Sequence, residues 1–322
     1  MTLDTEGAEP GPTRAGFAAI IGAPNAGKST LVNRLVGAKV SIVTQKVQTT
    51  RFPVRGVAMA GQAQVVLVDT PGIFTPRRRL DRAMVRAAWG GAADADAVVH
   101  LVDVQTQIAM TEGGETAADR RGAADVDTIV EGLKATGRPG AILALNKIDG
   151  VKRERLLAVS ERLFGTGVYA EAFMISAKTG SGVEDLRARL AALMPEGPWL
   201  YPADQTADLP VRLLAAEITR EKLFLRVHEE LPYQAAVETT AFEERKDGSA
   251  RIEQTVHVQR ETHRPIVLGK GGQTLKWIGE QSRTELAEIL DRKVHLFLHV
   301  KVDEKWQERR EMYGEVGLEF DA

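Results

Sequence analysis

Between residues 16 and 194, runs of apolar residues alternate with segments of helical spacing. The apolar runs predict strands at Ala18–Ile21, Ala38–Val43, Val54–Met59, Val65–Asp69, Ala97–Val102, Ala141–Leu145 and Phe173–Ile175. Several are continuous and rich in Val, Ile and Leu, which suits parallel strands covered on both faces. Apolar positions three and four apart predict helices around 28–36, 80–89, 126–136, 153–163 and 183–193. That rhythm implies a doubly wound α/β sheet over residues 15–194. Residues 105–127 show no period and are expected to form a solvated loop.

The pattern breaks after Leu193. The proline-rich stretch "MPEGPWLYPADQTADLP" has no periodicity and reads as a linker, with 195–208 as its core. A smaller α+β domain is expected over 209–303. It opens on a helical pattern through Val211, Leu214, Ile218 and Leu225, and then two alternating segments flank "KDGS", where the Asp-Gly pair marks a β-hairpin. "GKGG" follows, then a helix over Gln273–Leu290 and a strand in Lys293–Val302. Residues 304–322 read as a short charged tail, and 1–14, acidic with Gly and Pro, as a disordered one.

Composition narrows the classes. At 322 residues, 43% hydrophobic and 27% charged, the chain is globular and long enough for two or three domains, each with its own core. Its net charge of −2 leaves nucleic-acid contact to a local patch and not to the overall field. The absence of cysteine excludes disulfide and thiol chemistry and fits a cytoplasmic protein. No apolar run approaches membrane-spanning length.

The chemistry starts at "GAPNAGKST", between a predicted strand and a predicted helix. Gly22, Ala23, Pro24, Asn25, Ala26, Gly27, Lys28, Ser29 and Thr30 fit GxxxxGK[ST], in which glycines let backbone N–H groups surround phosphate oxygens. The helix start adds partial positive charge. Lys28 is placed to reach the β and γ phosphates, and the Ser29 hydroxyl to ligate Mg²⁺. "DTPGI" then ends a strand: the Asp69 carboxylate can hold Mg²⁺ through water and the Gly72 N–H can meet a γ phosphate, with Thr70, Pro71 and Ile73 beside them. In "LNKID", Asn146, Lys147 and Asp149 lie after another strand, and a carboxylate at 149 can accept from both N1–H and the exocyclic amine of guanine. Adenine offers no such pair, so the carboxylate excludes ATP. Ser176, Ala177 and Lys178 are expected to close over the base. A metabolic P-loop kinase would need no guanine-reading carboxylate.

Within "KVQTTRF", Thr49 and Thr50 are both candidates for a Mg²⁺ ligand present only with a γ phosphate. Catalytic candidates are Lys28, Thr50 and Gly72. Ile73 stands where some GTPases carry a water-orienting glutamine, and its side chain can polarise nothing. Asn25 is a candidate ligand for a monovalent cation, K⁺. The arginines of "RRRLDRAMVR" read as a solvated helix face. In the second domain, Gly269, Lys270, Gly271 and Gly272 form a GxxG loop suited to clamping single-stranded nucleic acid, with Lys276 and Arg283 extending a basic edge.

The ordered set "GAPNAGKST", "QTTR", "DTPGIF", "NKID" and "SAKTG", joined to "PIVLGKGG" and "HLFLHVKVDEKW", resembles the bacterial Era GTPases over about residues 15–318. The resemblance implies a Ras-like P-loop domain followed by a type II KH domain. It further implies a slow GTP/GDP switch, recognition of the 3′ region of small-subunit (16S) ribosomal RNA and a role in assembling the small ribosomal subunit and maturing its RNA. A monomer is expected, with partial peripheral association at the inner membrane face.

Overall fold

The computed structural model describes residues 12–46, 48–137, 140–227, 231–314 and 316–321. The first domain is a seven-stranded sheet in the order β6-β5-β4-β1-β3-β2-β7. Its strands are β1 (Arg14–Ile21), β2 (Val54–Ala60), β3 (Ala63–Asp69), β4 (Ala97–Asp103), β5 (Ala141–Asn146), β6 (Tyr169–Met174) and the two-residue β7 (Ala207–Asp208). All neighbours pair parallel except β2, antiparallel to both β3 and β7. One face is covered by α1 (Lys28–Val36) and α6 (Val183–Leu193), through Leu31, Leu35, Leu186 and Leu190. The other is covered by α2 (Arg79–Asp94), α3 (Val104–Glu112), α4 (Ala117–Ala135) and α5 (Arg153–Phe164). Burial on both faces is why these strands are apolar throughout. In register, Ile20 stands beside Asp69 and Asp103 beside Asn146, so β1, β3, β4 and β5 end at one edge, where such sheets bind ligands.

The second domain runs α7 (Val211–Arg226), β8 (Ala235–Glu244), β9 (Ala250–Val258), α8 (Arg264–Leu268), α9 (Gln273–Ile289) and β10 (Val294–Val302). Its sheet, β10-β9-β8, pairs β9 antiparallel to β8 and parallel to β10. A last helix, α10 (Arg310–Gly314), follows.

Several sequence expectations are corrected. Residues 38–43 form no strand, because their apolar positions are used between the domains: Val40 packs under α1, and Ile42 enters the core of the second domain beside Ile218 and Leu286. Residues 105–127 are not a loop but α3 and the first half of α4, the latter opened by a capping box between Thr116 and Asp119. Alanines and short polar residues hid the period, while Ile108, Val126 and Ile129 carry the buried stripe. The strand expected at Phe173–Ile175 lies earlier, as β6 at 169–174. The 195–208 segment is strapped to the sheet edge, with Trp199 Nε1 donating to Gln62 O (3.0 Å) and Gln64 Oε1 accepting from Leu200 N and Tyr201 N. The charged end is also packed, since Trp306, Tyr313 and Leu318 are buried. Of the expected N-terminal tail, residues 1–11 lie outside the described residues, whereas Arg14 already belongs to β1.

Residues 38–46 and 48–52 are held between the two domains. Glu221 of α7 accepts from Lys39 Nζ (2.7 Å) and Val43 N (2.9 Å). Lys46 Nζ caps α7 by donating to Phe224 O (2.5 Å) and Val227 O, Arg220 donates to Thr49 O, and Arg51 Nη1 donates to Ala235 O (2.9 Å). The Arg51 guanidinium lies over Phe224 and Trp306, and burial with the Arg220 charge beside it lowers its pKa to about 9.

Candidate nucleotide site and nucleic-acid groove

The loop between β1 and α1 is shaped by its glycines. Gly27 has φ 101°, and a Cβ there would stand 2.4 Å from Asn146 Nδ2, so no other residue fits without displacing the Asn146 amide. Lys28 is buried and folded back, its Nζ donating to Gly22 O (3.1 Å) and Ala23 O (2.9 Å). Desolvation lowers its pKa to about 8, against the opposing charges of Asp69 and Asp125. Nucleotide phosphates would return the charge that burial disfavours.

Asp69 is fully buried at the end of β3, and burial raises its carboxyl above the usual range, opposed by hydrogen bonds from Ser29 and Thr50 and by the Lys28 charge. Its Oδ2 accepts from Thr50 Oγ1 (3.4 Å), while Oδ1 has no partner among the described residues. Ser29 Oγ and Thr50 Oγ1 are 2.8 Å apart. Two hydroxyl oxygens beside a buried carboxylate with one orphaned oxygen fit Mg²⁺. Thr49 is not among them: its hydroxyl faces Thr44 Oγ1 (2.6 Å) and Lys46 O (2.7 Å).

Gly72 lies against the loop, where a Cβ would meet Pro24 at 3.0 Å. The Ile73 side chain is buried in the sheet core and its N–H donates to Gly22 O (3.1 Å), so it turns away from the phosphate side. The Thr70 hydroxyl donates to Ile20 O (2.8 Å) and serves the strand end, not the open site. Asn25 is exposed, and its amide donates to Gln45 O (3.1 Å).

Asn146 joins the two halves of the site. Nδ2 donates to Ala26 O (2.8 Å), and Oδ1 accepts from Ala177 N (2.9 Å). Lys147, at φ 65°, pairs with Asp103 (2.6 Å), and Asp149 is exposed beyond it. Lys178 is exposed, while the buried Ser176 takes the Thr179 N–H on its hydroxyl (3.0 Å) and holds the turn. Sequence reasoning missed Arg34 of α1, whose guanidinium donates to Ala177 O and Lys178 O, and Asn33, whose Oδ1 accepts from Val40 N and Ser41 N (both 2.9 Å). Neither belongs to a motif; only their partners identify them.

In the second domain, Gly269, Lys270, Gly271 and Gly272 form the turn between α8 and α9. Gly269 has φ 74°, and a Cβ there would stand 2.3 Å from Thr274 Oγ1. The turn opens into a groove of about 450 Å³ lined by Gly272, Leu275, Lys276, Gly279, Arg283 and Leu298, with Glu280 and Leu296. Lys276 and Arg283 thus share one groove, and Lys270 is exposed at its end.

A P-loop followed by an Asn-Lys-x-Asp turn after β5, joined to a domain carrying a GxxG turn, defines a GTPase with an appended nucleic-acid-binding module. A family model described as a 50S ribosome-binding GTPase matches residues 17–147, and one described as a KH domain matches 230–307. GTPase Era of Caulobacter vibrioides (strain NA1000 / CB15N) is 73% identical over 310 residues, covering 96% of this chain and 98% of that protein. GTPase Era of Maricaulis maris is 63% identical over 311 residues, covering 97% and 99%. A solved structure of an Aquifex aeolicus Era variant bound to GDP·AlF4− superposes with a TM-score of 0.83 at 36% identity, covering 95% of this chain and 99% of that one. Another, of Era with MgGDPNP and nucleotides 1506–1542 of 16S ribosomal RNA, gives 0.84 at 36% identity with the same coverage. The chain belongs to the Era family of GTPases. Among the described residues no helix is long and apolar enough to cross a membrane.

Proposed function

We propose that this GTPase couples its nucleotide state to RNA held in the 269–272 groove, and that the RNA is the 3′ region of small-subunit ribosomal RNA, during small-subunit assembly and rRNA maturation. The observation that carries the coupling is the set of bonds from α7 to the segment bearing Thr50, above all Arg220 to Thr49 O and Lys46 to the end of α7. The Era structure solved with nucleotides 1506–1542 of 16S ribosomal RNA supports the choice of RNA. Lys28 binds the β and γ phosphates, backbone N–H groups of residues 27–29 at the start of α1 surround them, and Asp149 with the 176–178 turn reads guanine. Ser29, Thr50 and Asp69 would hold Mg²⁺, which would supply positive charge to offset that of the phosphates. Thr50 and Gly72 close on the γ phosphate, and loss of that phosphate frees both. Asn25 would hold K⁺ through its amide oxygen, and the ion would supply positive charge near the phosphates. The chain acts as a cytoplasmic monomer, and attachment to the inner membrane face rests on the family resemblance alone.

A second reading, a scaffold in which nucleotide locks the structure and hydrolysis is incidental, is favoured by the burial of Ile73. Turnover with and without a 3′-terminal 16S fragment, in K⁺ or Na⁺, separates the two. Acceleration by the RNA supports the switch, and unchanged turnover together with nucleotide-independent RNA binding supports the scaffold.

A further inference from the structure

The chain does not end at the RNA-binding domain. After β10 it turns through Asp303, and Trp306 Nε1 donates to Gln234 O (3.2 Å) while the Arg51 guanidinium lies 5.5 Å from its ring centre. α10 then delivers Tyr313 and residues 316–321 onto the first domain. Val316, Leu318 and Phe320, two apart, enter one apolar cluster with Phe52, Val54, Phe74, Leu80 and Met84. Phe320 is edge-on to Tyr313 (5.1 Å) and lies under two guanidinium groups, Arg79 at 4.5 Å and Arg310 at 5.5 Å. Glu319 pairs with Arg86 of α2 (3.0 Å), and Asp321 with Arg310 (2.6 Å). Part of the arginine-rich helix face thus has an occupant within the chain.

The positions of the two phenylalanines decide what this contact does. Phe52 is two residues beyond Thr50, and Phe74 two beyond Gly72. Thr50 stands on Ser29 and Gly72 stands on Pro24, so both segments are closed toward the phosphate loop, while Phe52 and Phe74 at their far ends share one apolar cluster with Val316, Leu318 and Phe320. We propose that residues 316–321 form a clasp that holds both γ-phosphate-sensing segments closed, with Leu318 and Phe320 as positioning residues. Docking of the clasp and binding of GTP then favour one another, while GDP, which needs neither segment closed, is indifferent to it. By reciprocity, whatever lifts the clasp weakens GTP, and loss of the γ phosphate loosens the clasp. The inference rests on the closure of Thr50 and Gly72 on a γ phosphate proposed above.

The test compares the affinities of a non-hydrolysable GTP analogue and of GDP in the full-length protein, in a chain ending at Gly314, and in Leu318→Asp and Phe320→Ala. The clasp predicts that truncation and Leu318→Asp weaken the analogue about fivefold or more with GDP affinity unchanged, and Phe320→Ala does so to a smaller extent. Equal losses for both nucleotides would mark a merely structural contact, and unchanged affinities would mean no coupling; either overturns the proposal. Arg86→Glu keeps the apolar contacts and guards against misfolding: it should lower analogue affinity, and Glu319→Arg added to it should restore it. Failure of that rescue also counts against the clasp. Hydrogen exchange at 316–321 should be slower with the analogue than with GDP, and equal rates would oppose the coupling. If wild type itself does not prefer the analogue in Thr50-dependent fashion, the fault lies in the closure reading and not in the clasp.

Discussion

Ser29 and Thr50 meet hydroxyl to hydroxyl at 2.8 Å, although 21 positions separate them and they come from different sides of the site. Thr50 is also within reach of Asp69, whereas the neighbouring Thr49 is turned to Thr44. Thr50→Ala should therefore weaken Mg²⁺-dependent binding of a GTP analogue by about tenfold or more, the scale of a lost bond to a charged group. Thr49→Ala should leave it within about twofold, since its bonds are local. Titration calorimetry of both variants, with GDP as control, checks the assignment.

Asp149 is exposed, three residues beyond Asn146, whose amide donates to Ala26 O of the phosphate loop. Asp149→Asn should lower GTP affinity by roughly 10- to 100-fold, because the guanine donors lose a charged acceptor, and should favour xanthine nucleotides, whose 2-oxo group accepts from the new amide. Equal affinity for GTP in the variant and wild type would remove the base-reading role.

Lys28 sets a pH dependence. Burial lowers its pKa from 10.5 to about 8, so above that pH the folded protein binds fewer protons at this group than the unfolded chain. Its contribution to stability therefore rises with pH between about 8 and 10.5. Nucleotide binding runs the other way. Phosphates favour the ammonium form, so binding takes up a proton above pH 8, and the GDP dissociation constant should rise by up to about tenfold per pH unit there. Proton uptake in two buffers of different ionisation enthalpy measures it directly.

Lys46 caps α7 from the other domain. Lys46→Ala should cost about 1 kcal/mol, as for a cation lost from a helix end, seen as a small drop in Tm. It should also reduce the difference in RNA affinity between the GTP-analogue and GDP forms. A lower Tm with that difference intact would separate stability from coupling.

Lys270 stands at the exposed end of the groove. Lys270→Asp should weaken single-stranded RNA binding by about tenfold or more at low salt and reduce its salt dependence, with GTP affinity unchanged. Electrophoretic mobility shifts across a salt series test both parts.

The sequence by itself determined what local chemistry demands. Continuous Val, Ile and Leu runs suit strands buried on both faces, and loops that must wrap phosphate or approach another backbone advertise themselves in glycine and lysine, at 22–29 and at 269–272. Tertiary structure decided everything that depends on a partner distant in the chain. It set the Thr50 hydroxyl, and not that of Thr49, beside Asp69, a placement that neither residue's type foretells. It turned 38–43 from a strand into an interdomain wedge, because Ile42 gains its burial from Ile218 and Leu286. It made helices of 105–127, whose alanine-rich faces carry too little contrast to show a period. It also packed the charged C-terminus against Phe52 and Phe74, since apolar residues spaced two apart look like nothing until a complementary surface stands opposite them.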